Sequence, residues 1–211
     1  MPNYLDSINL DMPKVKRHYL MRANISSQLK ELLIEDKKED FAKIAVGHTN
    51  RAGNYSASKR ALSELILEQP GSYSSIVRLA NEFNGGQLRV NDIPNTIRKA
   101  DISYLDISVG SEIACLLRPD KFWVGNVRTI WPHLLLENEW DRDQADNAEA
   151  CYKEWPAIYP TMESSLDSIE ELAEGWATNQ DVTPGPLKYL WIDAVCSELY
   201  ELYARKEDDN K

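Results

Sequence analysis

The chain has 211 residues, 43% of them hydrophobic and 27% charged, with a formal net charge of −10, a composition that describes a folded soluble protein and excludes a disordered one. Its longest apolar runs, residues 113–117 and 134–136, cannot span a bilayer, the first residues lack the basic and apolar segments of a secretory leader, and three widely spaced cysteines make no disulfide framework. A reducing cytoplasm is the expected compartment, and the acidic balance excludes wholesale wrapping of nucleic acid.

Charge and aromatic residues are unevenly divided. Residues 1–100 hold 15 basic and 11 acidic side chains, residues 101–211 hold 9 and 23, and all six tryptophans and all three cysteines follow residue 100. The division predicts a mildly basic N-terminal helical region, 1–100, and an acidic, Trp-rich helical region, 101–211. No Gly/Ser/Pro linker separates them, so the two subregions have the means to share one core.

Nearly every readable segment has helical period, which predicts a mostly α, multi-helix globular bundle. Leu29, Ile34, Phe41, Ile44 and Ala45 predict one long or broken helix. Residues 58–68 predict a second, stopped by Gln69, Pro70 and Gly71; Ser72 starts a third that runs to Phe83, ahead of a turn at Asn84, Gly85 and Gly86. Ile102, Leu105, Val109, Ile113 and Leu116 fit a helix ended by Arg118 and Pro119, although residues 101–109 also alternate as a strand would. Met162, Leu166, Ile169, Ala173 and Trp176 mark a helix introduced by Pro156 and Pro160 and ended by Gly175 and the polar residues 178–181. The last helix has the clearest stripe, with Leu187, Leu190, Trp191, Ala194, Val195, Leu199, Leu202 and Tyr203, and this places Lys188, Asp193, Ser197 and Glu201 on the surface. Thr183 and Pro184 supply its start, and residues 206–211 form a polar tail.

Two constellations carry chemistry. Residues 72–100 have the layout of a helix-turn-helix, with a first helix over 72–83, a turn over 84–87 and a second helix over 92–100. The second helix would bury Ile93 and Ile97 and present Asn95, Thr96, Arg98 and Lys99, with Arg78 and Arg89 nearby, as side chains for DNA or RNA. The competing reading is a helical hairpin with a solvated basic face.

The second constellation lies in residues 121–135, which pack Trp123, Trp131, Arg128 and His133 around Pro132. Arg128 and His133 have four residues between them. The spacing resembles the arginine–x4–histidine motif of the HEPN family (higher eukaryotes and prokaryotes nucleotide-binding), helical bundles that include metal-independent ribonucleases. The resemblance covers six residues and implies that His133 moves a proton while Arg128 stabilises phosphate charge, two such motifs meeting across a dimer. Thr129 stands where that motif often has Asn. The preferred structural reading pairs Arg128 with a carboxylate and has His133 hydrogen-bonding at a helix start.

No metal site is expected: Cys115, His133, Cys151 and Cys196 have no chelating spacing, and residues 141–152 lack the ligands and glycine of a calcium loop. No cofactor is expected either, since the sequence has no phosphate-cradling glycine loop and no nucleophile elbow. The acidic stretch 137–174 reads as a solvated face, with docking of a basic protein partner as the sharper alternative. The residues thus point to an all-α protein without recognisable catalytic machinery that acts by binding. Nucleic acid would meet the N-terminal half and a protein partner the acidic half, with homo-oligomers allowed. A metal-independent ribonuclease using Arg128 and His133 is the alternative.

Overall fold

A computed structural model describes residues 9–149, 151–179 and 181–204. The polar tail read at 206–211, and the side chains of Ala173 and Trp176, lie outside the described residues. Twelve α-helices and no strand occur among the described residues, so the chain is a multi-helix bundle. No described helix is long and apolar enough to cross a membrane.

The first helix, α1 (Met12–Ile34), starts well before the stretch in which its apolar period is legible. Asp11 caps it, accepting a hydrogen bond from the Lys14 N–H at 3.0 Å, and Pro13 sits in the first turn, where its missing N–H has no consequence. The chain then reverses through Asp36, whose φ of 54° places it in the left-handed region that Asp tolerates, into α2 (Lys38–Ala45). The helix expected over 58–68 is two short ones, α3 (Tyr55–Lys59) and α4 (Leu62–Leu67), separated by a left-handed Ala61.

Next come α5 (Ser72–Asn84) and α6 (Ile93–Lys99). Residues 85–92 separate them, and both pack onto α7 (Ile107–Leu117). The strand alternative fails here. Asp106 accepts from the Ser108 and Val109 N–H groups at 3.0 and 3.2 Å and so starts α7 after Ile102 and Leu105, which remain buried in the preceding turn. Every residue of α7 is buried, which makes it the central element of the bundle. Gly110 permits the close approach of α6, because a Cβ there would lie 2.6 Å from Ile97 Cδ1.

The second half adds α8 (Val127–Glu137), α9 (Arg142–Glu149), α10 (Trp155–Ile158), α11 (Glu163–Asn179) and α12 (Lys188–Tyr203). Pro132 lies inside α8 and not at its start; Asn126 caps the helix, accepting from the Arg128 N–H at 2.9 Å. Gly175 does not end α11, which continues to Asn179. Thr183 does not cap α12; a 3-10 turn at Gly185–Leu187 intervenes.

α1 packs along α12 and against α7, and α12 packs on α8, so the hydrophobic core runs across residue 100 from one half of the chain to the other. Tyr19 of α1 meets Trp191 of α12 edge to face at 5.5 Å. Trp123 and Tyr159 hold each other reciprocally: the indole N–H donates to the Tyr159 carbonyl and the phenol O–H to the Trp123 carbonyl, both at 3.0 Å. Trp123 and Trp131 are therefore core residues and present no surface for an interface.

Candidate binding site

The line where α1, α7, α8 and α12 converge encloses charge. Arg22 of α1, Glu112 of α7 and Asp193 of α12 are each no more than 4% exposed. The Arg22 Nη1 group donates to the Ala52 carbonyl at 3.0 Å and to Glu112 Oε2 at 3.3 Å, while Nε lies 3.4 Å from Asp193 Oδ2. Burial works against the charge of Arg22, but Asp193 and Glu112 outweigh it and hold the guanidinium above its ordinary value. Burial pushes Asp193 up, opposed by Arg22 and Arg128.

Glu112 is the anchor of this arrangement. Its carboxylate accepts from the Tyr55 N–H (2.8 Å), the Ser56 N–H (2.9 Å), the Ser56 hydroxyl (2.6 Å) and the Asn126 side-chain amide (2.9 Å), as well as from Arg22. It therefore supplies, from another helix, acceptors for the otherwise orphaned first-turn donors of α3. Asn126 joins this carboxylate to the cap of α8 through its two side-chain atoms.

Beside the ion cluster lies a cavity of about 440 Å³ with Lys14, His18, Arg128, Ser197, Glu198 and Glu201 among its lining. Lys14 bridges Glu198 at 2.7 Å and Glu201 at 2.5 Å, bonds that raise its pKa. Arg128 pairs with Glu201 at 2.8 Å and its guanidinium carbon sits 3.6 Å from the centre of the Tyr55 ring, a cation–π contact. Burial, with the positive charges of Arg22 and Arg128, lowers the pKa of His18 to about 4, so this imidazole is neutral at pH 7.

Four buried polar atoms of residues that line this cavity make no hydrogen bond among the described residues: Arg22 Nε, which has only its 3.4 Å ion pair with Asp193, Arg22 Nη2, Arg128 Nε and the Ser197 hydroxyl. Buried polar groups are nearly always bonded, and an unmet one costs about 1–3 kcal/mol. Asp193 and Ser197, read as surface positions of the last helix, are thus buried walls of the site. His18, Arg22, Glu112 and Asn126 carried no sequence signal that singled them out. Only charged residues at core positions of a helix would have done so, and α1 was not legible as a helix there.

The sequence candidates fall elsewhere or apart. Arg128 faces Glu201 and Tyr55, while His133, on the same helix, is buried with Nδ1 2.5 Å from the Ser165 hydroxyl. Burial lowers the His133 pKa, with Glu137 opposing. The two side chains have different neighbours, and His133 does not line the cavity that Arg128 lines. Ile93 and Ile97 are buried, but so is Thr96. Arg78, Arg89, Asn95, Arg98 and Lys99 are exposed; Arg98 donates to Asn95 at 2.8 Å, and Arg89 pairs with Asp92 at 3.2 Å. Cys115 and Cys196 are buried and Cys151 is exposed, and no metal-binding group of His, Cys, Asp or Glu forms among the described residues. Comparison with family models, curated proteins and solved structures gives no match.

Proposed function

We propose that this chain is a helical binding protein whose ligand is a small zwitterion of amino-acid type, seated in the cavity between α1, α7, α8 and α12. The observation that carries this reading is Arg22, 2% exposed and lining the cavity, whose Nη2 has no acceptor among the described residues and whose Nε makes no hydrogen bond and has only the 3.4 Å ion pair with Asp193. Arg128 Nε and the Ser197 hydroxyl add two more groups able to donate. The missing partner is therefore an acceptor, and a carboxylate matches guanidinium geometry best. A bare anion fits poorly, because Asp193, Glu198 and Glu201 surround the same space. A ligand that brings its own ammonium group uses those acids as well, and about 440 Å³ suits a molecule of that size.

The test is thermal melting of the intact protein with the proteinogenic amino acids one by one, with acetate and methylamine as the separate halves of a zwitterion. At least one amino acid should raise Tm in a concentration-dependent way, by linkage to the folded state, and neither half should match it. Ser197→Leu, which fills the cavity without removing a hydrogen bond, should abolish the rise. A panel with no response, or an undiminished response in Ser197→Leu, would sink the proposal.

A further inference from the structure

A second cavity, of about 690 Å³, adjoins the first, with Tyr55 and Asn126 lining both. Its walls combine aromatic rings with cations. Tyr55, Tyr152 and Trp155 supply rings, and Lys59, Arg60 and Lys153 supply positive charge from elements far apart in sequence. Tyr152 is 63% exposed, so its ring is accessible from solvent.

The cations are not equivalent. Arg60 is spent: its guanidinium donates to both carboxylate oxygens of Asp106 at 2.8 and 3.2 Å, to the Ser108 hydroxyl at 2.7 Å and to the Ser56 carbonyl at 3.1 Å. Asp106, the acid on this cavity, is therefore neutralised and locked as the cap of α7. Lys59 and Lys153 have no ion-pair partner among the described residues; Lys59 lies 5.5 Å from the Tyr55 ring centre. The local balance is two unmatched positive charges beside stacking faces, on a chain whose net charge is −10. An anion without a ring would leave the aromatic walls wet, and a ring without an anion would leave the lysines unmatched.

We infer that this second cavity binds a planar aromatic molecule carrying one anionic group, an aryl carboxylate, sulfate or phosphate. The ring lies against Tyr55, Tyr152 and Trp155, and the anion takes Lys59 and Lys153. The two cavities share Tyr55 and Asn126, but the cations and the rings of Tyr152 and Trp155 belong to this one, so its test is separate from that of the zwitterion cavity.

Isothermal titration of the full chain with naphthalene-2-sulfonate tests it, with methanesulfonate as the anion alone and 2-naphthol as a ring without a fixed charge. Naphthalene-2-sulfonate should bind with one site per chain, and each partial probe should bind at least about tenfold more weakly. The double variant Lys59→Gln/Lys153→Gln, which alters two exposed side chains and no core contact, should lose about tenfold or more in affinity with its melting temperature unchanged. Arg98→Gln/Lys99→Gln, which removes the same charge elsewhere, should bind as the parent does. Absence of binding, equal affinity for 2-naphthol or methanesulfonate, an unaffected Lys59/Lys153 variant, or an equal loss in the Arg98/Lys99 variant would each overturn the inference.

Discussion

Arg22 and Glu112 are 90 residues apart in sequence and meet at 3.3 Å in the interior, each almost completely shielded from water. The pair ties the first helix to the central one, and Glu112 passes the connection on to α3 and to the cap of α8. Removing Arg22 leaves two buried carboxylates, Glu112 and Asp193, without their shared cation, which typically costs more than the pairs themselves contribute.

Glu112→Ala should therefore destabilise by about 3–5 kcal/mol, because it leaves Arg22 with Asp193 as its only acid and strands the N–H groups of Tyr55 and Ser56. Glu112→Gln should also lose stability, since its amide presents N–H groups to donors. Urea unfolding followed by circular dichroism measures both. Parent-like midpoints would show that the cluster does not hold these helices.

Ser26 and Ser197 form a matched comparison. Both are buried serines, but the Ser26 hydroxyl donates to the Leu116 carbonyl at 2.6 Å and the Ser197 hydroxyl makes no hydrogen bond among the described residues. Ser26→Ala should cost about 1 kcal/mol, whereas Ser197→Ala should lie within about 0.5 kcal/mol of the parent or slightly above it. The reverse order, measured by the same unfolding experiment, would mean that Ser197 is satisfied within the fold and not kept for a ligand.

What the sequence reveals and what it hides divide along physical lines. The stripe of α12 is legible because Leu190, Trp191, Ala194, Val195 and Leu199 are apolar and buried at helical spacing. The burial of Ile93 and Ile97 is legible for the same reason. The first two-thirds of α1 is not, because its inward face carries Tyr19, Arg22 and Ser26 between Val15, Ile25 and Leu29, which breaks the apolar period. Asp193 and Ser197 mislead in the same way: polar residues in an amphipathic helix read as outward, yet α12 is enclosed by α1, α8 and α11 and buries both faces. The site consists of the residues that violate the hydrophobic pattern, so periodicity cannot find it. Arg128 is the one member that spacing brought forward, there as half of a motif whose other half, His133, points to Ser165.

His18 gives stability a pH dependence. Its pKa falls from 6.5 to about 4 on folding, because of burial first and then the nearby Arg22 and Arg128. The native state thus prefers the neutral ring. The stability it contributes is complete above pH 6.5 and is lost as pH falls from 6.5 towards 4, where the unfolded chain binds a proton that the folded one refuses. The contribution to the slope is at most about 1.4 kcal/mol per pH unit. His18→Gln should flatten the stability profile in that window relative to the parent; superimposable profiles would contradict the assignment.

Gly110→Ala should destabilise by about 1–3 kcal/mol, since the new methyl group would meet Ile97 Cδ1 at 2.6 Å. A Gly110→Ala variant with an unchanged melting temperature would place α6 farther from α7 than described.

The most direct measurement is the side-chain ¹H–¹⁵N resonance of Arg22 Nε, followed while the amino acid that raises Tm most is added. This N–H is buried and makes no hydrogen bond among the described residues, its nearest acid being Asp193 at 3.4 Å. The expected result is a saturable downfield movement of that signal as the ligand carboxylate accepts its proton, tracking the melting shift in concentration. A ligand that stabilises the protein while leaving the Arg22 signal in place would contradict binding at this cavity.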